Sequence, residues 1–348
     1  MRLGPGCHPR RLPFALAGVV VAVALAVGWP LVSRLTQGTA VRSLPLPLRH
    51  AAVVALPGQP TRFDYAEVDP SQHRLFLAHM GDGTLVEVDT ANRRVVRTVG
   101  GLPEVTGVIV VPSLHRVFAS VAGTGQVVTI DEDTGAVLAR APAGSFPDGL
   151  AYVPTTEQVW VSDEDGGAET VIDASTGERL ATEKLGGQAG NVRYDPSSDR
   201  VLVDVQSRDE LVAIDPRTRR ITGRARVPGC DHDHGLILDP TRAFVACDGN
   251  SVLVVLRLRD LTRVGVQRVG DRPDVLALDP PRHLLYVAAE SGVVTMLDTT
   301  PPAARVTGRA PLGDNAHVVA VDPTTGEGYF PLPTGGHGTP ELLITTPR

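Results

Sequence analysis

The stretch Gly229-Cys230-Asp231-His232-Asp233-His234-Gly235 holds two imidazoles, two carboxylates and a thiol within seven residues. Imidazole and thiolate suit Zn or Cu, and carboxylates add oxygen ligands. An imidazole beside a carboxylate can also pass a proton. A polar turn that does neither is the plain alternative. The Cys-x-His-x-His spacing matches no standard zinc module. In an extended strand, residues 232 and 234 would share one face and could converge. Outside the cytoplasm, Cys230 and Cys247 would form a disulfide if close; otherwise they could join the histidines around a metal.

The elements that would position these groups repeat along the chain. Asp69, Val111, Val153, Asp195, Asp239, Asp279 and Asp322 each precede a proline, at intervals of 40 to 44 residues. Each marker ends a short apolar strand. A second strand follows ("RLFLA", "QVWVS", "RVLVD"), then a Gly- or Asp-rich loop and a third strand ("LVEVD", "VVTID", "LVAID"). A hairpin leads to a fourth. Four short β-branched strands per repeat of ~40 residues mark a propeller blade. Seven markers predict seven blades. The last unit stops after its third strand, near "ELLITT", and the unassigned strand "AAVVALPG" (51–58) would complete it. Closing the ring this way removes an open sheet edge. The aspartates after third strands (Asp89, Asp131, Asp173, Asp215, Asp298) read as turn caps. Blade five, "VLVVLRLRD", lacks one directly after its third strand.

Register then groups residues far apart in sequence. The position five before each marker falls where the innermost strand opens on one channel mouth. It carries Asp64, Thr106, Asp148, Gly190 (with Asn191 beside it), His234, Asp274 and His317. Two residues earlier stand Arg62, Glu104, Phe146, Gln188, His232, Arg272 and Asn315. Loops between second and third strands bring His79, Asp163, Glu164, Asp165, Cys247, Asp248, Asn250, Glu290 and His337 to the same face. The metal candidates are His232, His234, His317 and Asp274. Asp64, Asp148, Asn191, Asp274, Glu290 and His337 are the ligand candidates. Imidazole with carboxylate suits Zn, Cu, Fe or Mn better than Ca. Water-solvated polar lining is the alternative for the whole ring.

The segments "PDGLAYVP", "QVWVS" and "TVIDASTG" (within 147–177), with "HGLILDP" and "FVACDGN" (within 234–250), resemble the YVTN-repeat, YncE-like β-propellers. The resemblance covers roughly residues 50–348. It implies the fold and leaves the role open, because that family is a scaffold with diverse roles.

Ahead of the repeats, Arg2, Arg10 and Arg11 precede a 21-residue apolar run, Leu12–Val32. That spans one bilayer core at ~1.5 Å per residue. The basic flank predicts an N-in, C-out orientation. The expected organisation is a cytoplasmic segment (1–11), a transmembrane anchor or uncleaved signal (12–32), a tether (33–48) and a propeller (49–348). A cleaved signal would instead give a secreted protein. The fold class is thus all-β, a seven-bladed propeller closed by an N-terminal strand and preceded by one transmembrane helix.

Composition narrows the function classes. The net charge is −6 and aromatic residues make up 4% of the chain, so nothing supports a nucleic-acid interface. Lys184 is the only lysine among 33 basic residues, a bias that GC-rich coding would produce. No P-loop or Rossmann glycine pattern occurs in its required context, and no serine or cysteine sits in a nucleophile motif. Two readings remain. One is an anchored extracytoplasmic propeller binding a small molecule, metal or protein at the mouth. The other is a metal-dependent, lactonase-like hydrolase or lyase using the same His/Asp groups.

Overall fold

The computed structural model describes residues 43–348, and among these the chain forms seven four-stranded antiparallel sheets. The expected cytoplasmic segment and membrane span, and most of the tether, lie outside the described residues. Among the described residues no helix is long and apolar enough to cross a membrane.

Blade five shows how the repeat works. Its strands are Asp233–Leu238, Arg242–Cys247, Val252–Arg257 and Thr262–Arg268, each paired with the next. The two middle strands are apolar almost throughout, because neighbouring blades cover both of their faces. Phe244, Ala246, Leu253 and Val255 pack toward blade six, while Val245, Cys247, Val254 and Leu256 pack toward blade four. The outermost strand is largely exposed. The core is therefore a set of seams between blades rather than one central mass.

The ring closes through its first strand. Leu48–Ala55 pairs antiparallel with Glu341–Pro347 and becomes the outermost strand of blade seven. Leu48, Val54 and Leu56 are buried there. Just upstream, Leu44 exchanges two backbone hydrogen bonds with Arg309 on the outer strand of blade six, at 2.7 and 2.8 Å. The end of the expected tether is thus docked on the ring.

The turn chemistry follows the sequence. Asp89, Asp131, Asp173, Asp215 and Asp298 each accept a backbone N–H from two or three residues ahead. The marker aspartates Asp69, Asp195, Asp239 and Asp322 do the same. In blade five, Asp260 takes over, accepting from the Thr262 amide and hydroxyl. This accounts for the missing aspartate after that third strand.

Candidate functional site

The innermost strands and the loops before them surround a polar cavity of about 420 Å³ at one channel mouth. Arg62, Asp64, Asp148, Glu164, His232, His234, Asp274 and Glu290 are among its walls. Tyr65 forms the floor. Its hydroxyl hydrogen-bonds Asn191 Oδ1 and Nδ2 at 3.0 and 2.7 Å, and the Asn191 amide also donates to the His234 carbonyl. Asn191 therefore has both ends of its side chain engaged and is absent from the cavity walls. Beyond Tyr65 lies a second, mostly aliphatic cavity of about 510 Å³.

Asp274 is the centre of the mouth. His234 Nε2 lies 3.4 Å from its Oδ1, and His317 Nε2 lies 3.8 Å from its Oδ2. His317 Nε2 is also 3.6 Å from Asp64 Oδ1. The other ring nitrogen of each histidine is held by an acceptor. His234 Nδ1 donates to Gln206 Oε1 at 2.9 Å, and His317 Nδ1 to the Asn315 carbonyl at 3.0 Å. These acceptors hold the rings with both Nε2 atoms turned inward, the orientation that metal-binding histidines receive from their outer partners. Gly235 permits the approach. A Cβ there would collide with the Asp274 backbone oxygen, so glycine lets the innermost strands of blades five and six draw together.

One ligand atom each from Asp64, Asp274 and His317 lies within 4.8 Å of the others, and all three residues are buried. Asp274 Oδ1 and His317 Nε2 make no hydrogen bond. The facing groups, His234 Nε2 at 3.4 Å and Asp64 Oδ1 at 3.6 Å, lie beyond good hydrogen-bond length, so a cation replacing the His317 proton would satisfy the carboxylates more directly.

Charge coupling is strong. Burial opposes charge on His234, yet the Asp274 carboxylate, with Asp148 and Glu164 behind it, outweighs burial and holds the imidazole well above its usual value. His317 is raised in the same way by Asp64 and Asp274 against burial. Burial would lift Asp274, but the two histidines and Arg62 hold it down. Asp148 goes the other way: burial and Asp64 push it well up, only partly offset by His234. Asp148 thus holds a proton more tightly than Asp274 does in the same cavity.

Several candidates are engaged in other ways, His232 and Glu290 within the cavity wall and the rest away from it. His232 has a left-handed backbone, φ 62°, and the strand begins only at Asp233. The two histidines therefore do not present their rings as one extended strand would. His232 pairs with Asp248 at 2.7 Å, while His234 turns to Gln206 and Asp274. Cys230 and Cys247 form a disulfide, with Cα atoms 5.3 Å apart, and so are not thiolate ligands. Glu290 bridges two arginines, accepting from Arg62 Nη1 at 2.6 Å and facing Arg272 Nη1 at 3.1 Å. Asp163 caps the Ser145 and Phe146 amides, and buried His79 stacks on Phe63. His337 is exposed on the loop before the closing hairpin strand and is not a cavity wall. Sequence reasoning missed Gln206, which orients His234. Its only signal was its position just after the second strand of blade four.

No family model matches this chain, and no curated protein matches it. Solved structures do. Hydrazine synthase from Kuenenia stuttgartiensis aligns over 84% of this chain and 95% of its own, with 16% identity and a TM-score of 0.66. U3-55K aligns over 84% and 98%, with 10% identity and a TM-score of 0.71. Likeness at such identities shows the fold alone: this is a seven-bladed β-propeller.

Proposed function

We propose that this chain is a membrane-tethered, extracytoplasmic propeller of the YVTN-repeat kind whose polar mouth binds a divalent cation and, on it, a small ligand. The observation that carries the reading is the Asp64–Asp274–His317 group, whose donor atoms lie within 4.8 Å of one another and whose His317 Nε2 makes no hydrogen bond. One imidazole and two carboxylates suit Zn, Mn, Fe or Cu more than Ca. His234, on the far oxygen of Asp274, orients that carboxylate. The cavity above leaves room for a ligand on the open side of the ion. The basic flank and apolar run before the propeller support the tether.

Calorimetric titration of the chelator-stripped full-length chain with zinc and manganese chlorides tests the mouth. Micromolar or tighter binding is expected, weakened at least about tenfold in His317→Ala and in Asp274→Asn. Affinity should climb as pH rises above the usual imidazole range, because the carboxylates hold a proton on His317 that must leave before a metal binds. Silence from the wild type, or equal binding by all three proteins, returns these residues to solvated lining.

A further inference from the structure

We infer that Arg62 is a built-in cation that occupies the site's carboxylates and must step aside for an ion. This rests on the cation reading above. The Arg62 Nε and Nη2 groups both donate to Asp64 Oδ1, at 2.9 and 2.6 Å. Nη2 lies 3.6 Å from Asp274 Oδ2. Those two carboxylates are the ones that would hold the ion, and Asp64 Oδ1 is also the oxygen that His317 approaches. A divalent ion and a guanidinium on the same oxygens repel each other, and each satisfies the carboxylates that the other would need.

The structure also shows where Arg62 can go. Its Nη1 already donates to Glu290 Oε1 at 2.6 Å. Glu290 is anchored on its other oxygen by Arg272 at 3.1 Å. Arg62 is half-exposed on the rim, whereas Asp64 and His317 beneath it are buried. Rotating the fork outward would keep the Glu290 bond and release Asp64. Arg62 is thus a tethered competitor, and Glu290 is the post that makes its release easy. Arginine suits this task because one planar fork holds Asp64 through Nε and Nη2 while Nη1 stays on Glu290.

The test is a double-mutant cycle on the stripped full-length chain, titrated with zinc chloride alone at one fixed pH, with circular dichroism checking the fold. Arg62→Gln should bind zinc about tenfold tighter than wild type. Glu290→Gln should bind more weakly, and this loss should largely vanish when added to Arg62→Gln, because Glu290 acts through Arg62. Arg62→Lys should fall between Arg62→Gln and wild type, and it carries the test if Arg62→Gln does not fold. A merely structural arginine would not yield tighter binding when removed. Zinc binding by wild type with equal or weaker binding by Arg62→Gln overturns this inference and leaves the cation site standing. Undiminished weakening by Glu290→Gln in the Arg62→Gln background overturns it too. If neither wild type nor Arg62→Gln binds, the site and the inference fall together.

Discussion

Asp204 and Asp233 meet across the seam between blades four and five, each fully buried. None of their four carboxylate oxygens has a hydrogen-bond donor. Two buried carboxyls side by side oppose each other's charge. Burial raises Asp233 to about 8 and, with Asp233 beside it, lifts Asp204 well above its usual value. His234 and Arg193 offset part of this at Asp204, while Asp209 and Glu210 add to it at Asp233. The folded values lie above the unfolded ones. Stability from the pair is therefore fully present below about pH 4 and lost as pH climbs toward about 8. Melts of the purified protein between pH 5 and 9 should show a loss of a few kcal/mol. Asp204→Asn should lessen that slope, since its amide can donate to Asp233, while Glu67 and Glu132, raised by burial to about 7 and about 8, keep the remainder. An unchanged slope would remove the pair from the account. Register made the His234–Asp274–His317 grouping legible in the sequence, because equivalent positions in blades five, six and seven must converge on the channel. It could not reveal Asp204, which sits in "RVLVD" like any strand-end acid, nor the backbone turn that separates His232 from His234.

At the scale of elements, the arginine bias acquires a use that composition did not disclose. Arg200 Nε binds Asp195 at 3.0 Å while its Nη2 reaches the Leu258 carbonyl in the next blade. Arg242 repeats the pattern with Asp239 at 2.8 Å and the Pro301 carbonyl at 2.9 Å. Each fork ties a marker aspartate to the neighbouring blade, a geometry lysine cannot copy. Strand count, blade spacing and turn caps were legible because Asp-Pro and the apolar runs recur in fixed order. The closing strand was legible too, since a seventh blade with three strands left one strand over. Its weight can be measured. Deleting residues 48–55 strips the cover from the Glu341–Pro347 edge and removes Val54 from the cluster it shares with Leu342 and Ile344. Each large apolar side chain so uncovered costs about 1.5–3 kcal/mol. The deletion should therefore melt well below the intact chain and aggregate. Equal melting would mean that the ring does not need its latch.

For the whole molecule, the proposed extracytoplasmic placement carries a test of its own. A bond between Cys230 and Cys247 persists in an oxidising compartment, which is where an N-in, C-out anchor would place residues 43–348. Protease added to intact spheroplasts should then digest or shave the propeller while the membrane stays sealed. Complete protection until the membrane is broken would reverse the topology.

Pairing the first strand with the last also sets a clock. Leu48 finds its partner Pro347 only after about 300 further residues have been made, about 15–60 s at ordinary ribosome speeds of about 5–20 residues per second. Through that interval the nascent chain carries an unmatched β-edge at its leading end. Arg309, the partner of Leu44, is made before the final strand. The Leu44–Arg309 bridge can thus park the leading segment beside blade six until the last hairpin arrives.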